Sequence, residues 1–292
     1  MAVSRKFVKE NEKLAAVLFG GKNNMSVNDA LGQRMKTFYE EIPKTKLMRR
    51  TPVAIRIDGK AFHTFTRGFK KPFDDILIKS MEETMLYLCK NIQGCVLGYH
   101  QSDEITLILT DYKRFNSDAW FDYEVQKLCS IAASMATLAF NRAFKDEVEY
   151  ILGWAEAESL AMYHAQVELT KPHIKALEKG AMFDARCFNI PREEVTNLIY
   201  WRQLDAMRNS VQMVGQANFS HKQLDKKNQE TIKKMLKEEK GIDWECDFAT
   251  CYKRGTCCVR DYSGQWYVDT EIPIFKGDGR QYVEQLIQQE EM

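Results

Sequence analysis

Val53-Ala-Ile-Arg-Ile-Asp-Gly59 and Cys95-Val-Leu-Gly-Tyr-His-Gln-Ser-Asp-Glu-Ile-Thr-Leu-Ile-Leu-Thr110 decide the fold. The first is a short apolar strand that stops on Asp58-Gly59. The second is two strand-like runs, Cys95 to Tyr99 and Ile105 to Thr110, around the polar turn His100-Gln-Ser-Asp103, and so reads as a hairpin. Between them Leu77, Met81, Met85, Leu88 and Ile92 recur at helical steps and make the inner stripe of a helix. Beyond the hairpin a second stripe runs Phe121, Val125, Leu128, Ala132, Met135 and Ala139, rich in small residues for close packing on a sheet. A longer helical stretch follows from Glu147 to Lys179, and then Phe183-Asp-Ala-Arg-Cys-Phe-Asn-Ile190, a further strand.

In order this is β-α-β-β-α-β with a helical insertion at about 147–180. The expected fold class is α+β, a ferredoxin-like antiparallel sheet with packed helices. Right-handed crossover makes the first two strands parallel, with the third antiparallel between them. Asp58 and the turn carrying Asp103 and Glu104 then share one edge of the sheet. The expected division is a polar N-terminal segment over 1–30, a catalytic domain over 31–190 and a helical and β extension over 191–292. A short amphipathic lead-in, Leu31 to Glu41, precedes Pro43.

Composition removes several classes of protein. The chain has 292 residues, 45% hydrophobic and 28% charged, which is ordinary globular composition and no disordered or collagen-like chain. Lys plus Arg is 42 against 41 Asp plus Glu, so a net charge of +1 excludes a polybasic coat protein but not a local basic groove. No apolar run is long enough to span a membrane, and the opening Met-Ala-Val-Ser-Arg-Lys-Phe-Val-Lys-Glu has no signal-peptide core. Eight scattered cysteines, two of them adjacent (Cys257, Cys258), suit reduced thiols in the cytoplasm better than a disulfide framework. Cys246, Cys251 and Cys257 lack zinc-knuckle spacing.

Two aspartates at neighbouring strand ends, one beside a glycine, supply hard oxygen ligands for Mg²⁺. Such a site serves phosphoryl or nucleotidyl transfer. Gly59 allows close backbone approach, its carbonyl being a further ligand and nearby N–H groups a phosphate cradle. Lys60, Arg67, Lys70 and Lys71 follow, a cationic segment that suits a triphosphate, although a solvated loop has the same composition. His63 among them reads equally as a general acid, a ring stacked under a base or a structural histidine. Arg202, Asp205 and Asn209 share one face of a helix over 200–210, while Trp201 reads as a ring that anchors that helix on a core. Tyr252 to Arg260 mixes cations and aromatics as nucleic-acid grooves do.

These residues resemble a known family. Arg56-Ile-Asp-Gly-Lys-Ala-Phe-His63, Lys71-Pro72 with Asp74, Gln101-Ser-Asp-Glu104, Phe183-Asp-Ala-Arg186 and Trp201-Arg-Gln-Leu-Asp205 are similar, in order and spacing, to the tRNA-His guanylyltransferase family. The resemblance extends from about residue 30 to Glu271-Ile-Pro-Ile-Phe275. It implies a polymerase-like palm that adds nucleotides in the 3′-to-5′ direction to the 5′ end of tRNA. It implies two Mg²⁺ ions on Asp58, the Gly59 carbonyl and Asp103, with Glu104 a further catalytic acid. It implies GTP and ATP as substrates, bound along Asp58, Gly59, Lys60, Ala61, Phe62 and His63, at Ser102 and Asp103, and by Lys71. Arg186, Arg202, Arg208 and Asn209 are implied for tRNA or a second nucleotide, and a homotetramer for the assembly.

One position departs from the family pattern. Eukaryotic members carry a histidine where this chain has Met207, and a thioether neither transfers protons nor binds phosphate. The departure resembles bacterial and archaeal members that repair truncated tRNA 5′ ends under template control. The alternatives are a dedicated tRNA-His guanylyltransferase, a nucleotidyl cyclase sharing the palm, and a silent RNA-binding protein. The cyclase's Gly-Gly-Asp/Glu-Glu-Phe turn is missing, and both aspartates that a silent protein would lose are present.

Overall fold

The computed structural model describes residues 27–114 and 116–288, so most of the segment read as 1–30 lies outside the described residues. The chain divides into two compact units after Thr45. In the first, helix α1 (Val27–Met35) runs directly into one π-helical stretch, Lys36–Glu40, over the expected lead-in.

The second unit is built on a six-stranded antiparallel sheet of order β4-β1-β3-β2-β5-β6. Its strands are β1 (Val53–Gly59), β2 (Cys95–Gln101), β3 (Glu104–Leu109), β4 (Phe183–Asn189), β5 (Thr256–Arg260) and β6 (Trp266–Asp269). The first four carry the ferredoxin-like order, with β3 between β1 and β2. The last two extend the same sheet beyond β2.

Strand residues alternate between two cores because successive side chains point to opposite faces. Val53, Ile55, Ile57, Ile105, Leu107 and Leu109 face helices α3 (Asp75–Asn91) and α4 (Val125–Glu158). The helical stripe read for α3 is the buried one: Met81, Met85 and Leu88 are 0% exposed, and Asp74 caps the helix by accepting from Leu77 N–H at 3.0 Å. Ala54, Ile108 and Tyr99 face the other way, against Val195 and Ile199 of α6 (Val195–Asn218) and the C-terminal segment.

The second stripe starts later than its spacing predicts. Phe121 lies before α4 in a turn with φ of +48°, 42% exposed, and the buried residues are Leu128, Ala132, Ala136, Phe140 and Phe144. α4 runs unbroken through residue 147 to Glu158 and meets α5 (Leu160–Lys179) at Ser159, which caps α5 by accepting from Met162 N–H at 3.1 Å. Trp201 is the clearest reversal. It is 52% exposed, and the neighbouring Arg202 and Gln203 are buried in its place. Gln203 then holds the C-terminal segment, donating to Pro273 O at 2.8 Å and accepting from Phe275 N–H at 3.0 Å.

The run from Tyr252 to Val259 is consumed by the fold, and Arg260 is exposed over the Trp266 ring. Tyr252 stacks on Phe73 at 4.7 Å and donates to Asp75 at 2.6 Å. Lys253 donates to Glu245 O, Arg254 to Ile272 O, and Thr256–Val259 are buried in β5. All eight cysteines are free thiols, four of them buried. No helix among the described residues is long and apolar enough to cross a membrane.

Phe140 is the centre of an aromatic cluster, with Phe62, Phe65, Phe144 and Phe183 ring centroids at 5.3–5.8 Å. Phe62 belongs to the short helix α2 (Phe62–Phe65) that directly follows the Asp58-Gly59 strand end. Phe140→Ala is expected to cost about 3–5 kcal/mol, read from denaturant unfolding.

Candidate active site

β1 ends with Asp58 in register with Glu104 on one side and Asp184 on the other. Asp103 joins this edge through its backbone, because Gly59 N–H donates to Asp103 O at 3.1 Å. Asp58 and Asp103 are both half-buried. Burial, and after it Glu104 and Asp184, push the Asp58 carboxyl up from its usual range. Burial and then Asp58 push Asp103 up as well. Among the described residues neither aspartate belongs to an ion pair.

The turn between β2 and β3 is held in shape from below. Ser102 has φ of +53° and donates to Asp103 Oδ1 at 3.1 Å. Beneath it His100 is buried, with Nε2 at 3.0 Å from Ser102 O and Nδ1 at 3.3 Å from Thr256 Oγ1. The carbonyl accepts only, so Nε2 carries the proton and Nδ1 accepts from the threonine. Burial lowers the His100 pKa to about 4.

Gly59 is required by its neighbour: a Cβ there would lie 2.3 Å from the Phe62 ring. The nearest amides do not form the expected cradle, since Gly59 N–H is spent on Asp103 O and Lys60 N–H on Met182 O at 2.9 Å. Ala61 begins α2 in the left-handed region (φ +56°), and the first bonded amide of that turn is Thr64. Phe62 is buried in the aromatic cluster, so it supports the loop and does not face solvent. Lys60, His63 and Lys71 are exposed, His63 Nε2 lying 3.1 Å from Thr64 Oγ1. The stretch before α3 that carries Lys71 is pinned by Asp74, which accepts from Lys70 N–H at 3.0 Å and from His173 Nε2 at 2.9 Å. Against the opposing effect of burial, the His173 hydrogen bond brings the Asp74 pKa below its usual range.

Glu104 is distinct from the two aspartates. Arg56 donates to it at 3.3 and 2.6 Å, and Arg202 reaches down from α6 to donate at 2.6 and 2.8 Å. Both carboxylate oxygens are thus taken by guanidinium forks. Arg202 also donates to Asp205 at 3.1 Å, and Arg208 pairs with the other oxygen of Asp205. Asn209 is half-buried on the same helix. Arg186 lies across β4, in register with Arg56, exposed and donating to Asp184 at 3.3 Å. Met207 packs with the apolar cluster of Phe73, Val211, Val214 and Trp244.

Arg56, Asp184 and His100 were missed in the sequence. Period-two alternation was the available signal for Arg56, which shares a strand face with Asp58 two residues on. Nothing local marks His100, whose role depends on β5.

Residues 32–191 match the model of the family described as tRNAHis guanylyltransferase. The chain belongs to that family. It is an enzyme, a nucleotidyltransferase of the tRNA(His) guanylyltransferase type. A bacterial tRNA(His) guanylyltransferase-like protein solved in complex with ATP is 40% identical, covers 88% of this chain and 99% of its own, and superposes with a TM-score of 0.73. A bacterial protein of the same description, in complex with GTP, gives 35% identity, the same coverage and a TM-score of 0.66. The tRNA(His) guanylyltransferase of Debaryomyces hansenii is 25% identical over 229 residues, 74% of this chain and 76% of the yeast protein.

Within this family member two buried contacts are separately testable. Glu104→Ala leaves the buried Arg202 with Asp205 as its remaining carboxylate and is expected to destabilise the fold by about 3 kcal/mol in denaturant unfolding. For His100 the folded pKa lies below the unfolded one, so the unfolded state binds the extra proton between about pH 6.5 and 4. Its contribution is therefore complete above pH 6.5 and is lost as the pH falls toward 4. Relative to His100→Gln, the unmodified chain should lose about 3 kcal/mol across that window.

Proposed function

We propose that this protein adds nucleotides in the 3′-to-5′ direction to the 5′ end of tRNA, under the control of the opposing strand. The observation that carries the reading is the contrast among three neighbouring acids. Glu104 is neutralised by two arginines, while Asp58 is raised by burial and then by Glu104 and Asp184, Asp103 is raised by burial and then by Asp58, and among the described residues neither aspartate belongs to an ion pair. Such a pair of hard oxygen donors fits Mg²⁺, which takes one or two carboxylates and fills its shell with water and substrate phosphate. Among the described residues no three His, Cys, Asp or Glu side chains gather as a metal cluster, which accords with two carboxylates and the Gly59 carbonyl as the protein's share. When bound, the metal neutralises triphosphate charge and favours ionisation of the attacking hydroxyl.

The chain's own residues do the rest. Lys71, on the loop fixed by Asp74 and His173, meets the triphosphate with a cation, and Lys60 adds a second. The amides of Ala61, Phe62 and His63 precede the first bonded turn of α2 and remain for phosphate oxygens. Ser102 orients Asp103. ATP and GTP are the nucleotides of this reading, in keeping with the ligands named for the two bacterial relatives. Arg186, Arg208 and Asn209 border the α6 side and serve the RNA, with Arg202 acting through Glu104. Glu104 is here a positioning residue and not a metal ligand.

Met207 supports template control. Its thioether lies among apolar side chains and has no proton to give. The incoming nucleotide is then oriented by pairing with the opposing base of the acceptor stem.

The test is a set of 5′-truncated tRNAs that differ only at the opposing base, incubated with Mg²⁺, ATP and each nucleoside triphosphate, and sized on a gel. Extension by the complementary nucleotide is expected. Guanosine addition whatever the opposing base overturns template control and restores the dedicated tRNA-His role. Asp58→Ala and Asp103→Ala should each lower the rate by at least about 10²–10³ with an unchanged melting transition. Lys71→Ala should raise the triphosphate concentration needed for half-maximal rate.

A further inference from the structure

Trp201 is a large aromatic ring, 52% exposed, on the face of α6 that borders the carboxylate edge. A tryptophan so placed adds little to the core, yet it is held firmly. The Arg202 guanidinium lies 4.6 Å from the ring centroid and that of Arg56 lies 5.3 Å away. Those same two guanidinia clamp Glu104 through four hydrogen bonds. The ring is thus fixed by cations that are themselves fixed, and part of it remains open to solvent. A rigid, exposed indole beside a nucleic-acid site is a stacking platform, because every nucleobase presents a π face.

We infer that Trp201 stacks on the 5′-terminal base of the RNA strand being extended. The inference rests on the proposed 5′-end reaction for the identity of the strand, and it assigns a contact that reading leaves open. The choice between the RNA end and the incoming nucleotide follows from the two faces of the sheet. The Gly59–His63 loop turns toward α3 and α4, where Phe62 and Phe65 join the first core cluster. Arg56, Glu104 and Trp201 lie on the opposite, α6 side, the side of Ala54 and Ile108. On this inference a triphosphate's base lies on the loop side and Trp201 is left to the RNA. The RNA end approaches the same carboxylates from the α6 side. Arg56 precedes Asp58 by two residues on one strand face, about 6–7 Å along β1, so a base on Trp201 sits close behind a reacting 5′ phosphate. The exposed Arg186, across the strand from Arg56, faces the same approach with a positive charge.

The test measures filter binding of a 5′-monophosphorylated truncated tRNA and of the same RNA with an abasic 5′-terminal nucleotide. Four proteins are compared: the unmodified chain, Trp201→Leu, Trp201→Phe and Lys71→Ala. Trp201→Leu is expected to weaken binding of the normal RNA by about 10-fold and Trp201→Phe by much less. The unmodified chain should lose about as much on the abasic RNA, and on that RNA Trp201→Leu should add no further loss. Lys71→Ala, on the loop side, should leave the base dependence intact. Equal binding by Trp201→Leu and the unmodified chain overturns the inference, as does an equal Trp201→Leu penalty on both RNAs. If Trp201→Leu does not fold, the abasic RNA on the unmodified chain decides alone, and an unchanged affinity refutes the stack. Nucleotide addition is scored in parallel. Binding that depends on Trp201 and the terminal base, without addition, retains this contact and removes the proposed reaction. Addition without that dependence does the reverse.

Discussion

Glu104 is the hinge of the architecture. It is the first residue of β3, in register with Asp58, and it is the point at which the sheet is joined to α6 through Arg202. A carboxylate this deep would be costly alone, and a single arginine would leave part of its hydrogen-bonding capacity unused. With Arg56 on the same sheet face and Arg202 above, both oxygens are satisfied by paired donors. Replacing such a cluster by apolar residues often costs little stability, so its value lies in position. It fixes where α6 rests on the sheet, and with it Trp201, Asp205, Arg208 and Asn209.

The charges along this face alternate: Arg56, Glu104, Arg202, Asp205, Arg208. Each is balanced by a neighbour, and the series ends on an exposed cation. Asp58 and Asp103 stand outside it. Their elevated pKa values follow from burial and like charge, the condition that a divalent cation relieves. One edge of a sheet thus carries two kinds of acid, one made inert by arginine and the other left with unmet charge. The separation depends on alternation along β1, where Arg56 and Asp58 share a face while Ile55 and Ile57 hold the core.

Much of this was legible in the sequence, for physical reasons that can be named. The β1 strand, the hairpin and the α3 stripe are dense apolar patterns with clear turn residues, and right-handed crossover then leaves one arrangement for three strands. The pairing of Asp58 with the 102–104 turn follows from that arrangement alone. What was not legible depends on partners distant in sequence. Trp201 reads as a core anchor because bulk usually buries, but the helix is rotated by the Arg202–Glu104 contact, which buries an arginine and turns the indole outward. The cations at 253 and 254 read as a groove, yet each is consumed by a backbone carbonyl. His100 sits in a strand that reads as apolar, and its partner Thr256 belongs to a strand that periodicity did not reveal.

Met207 shows how one substitution acts through the same helix. Arg202 reaches Glu104 at the sheet edge and bonds Asp205 on its own helix, contacts that are made without position 207. Met207 turns instead toward the apolar cluster that also holds Phe73, two residues after Lys71. A polar side chain there would give up part of that apolar contact. The thioether meets that cluster with apolar surface alone. In this chain position 207 is therefore a packing position on α6, and the polar contacts of that helix with the sheet run through Arg202.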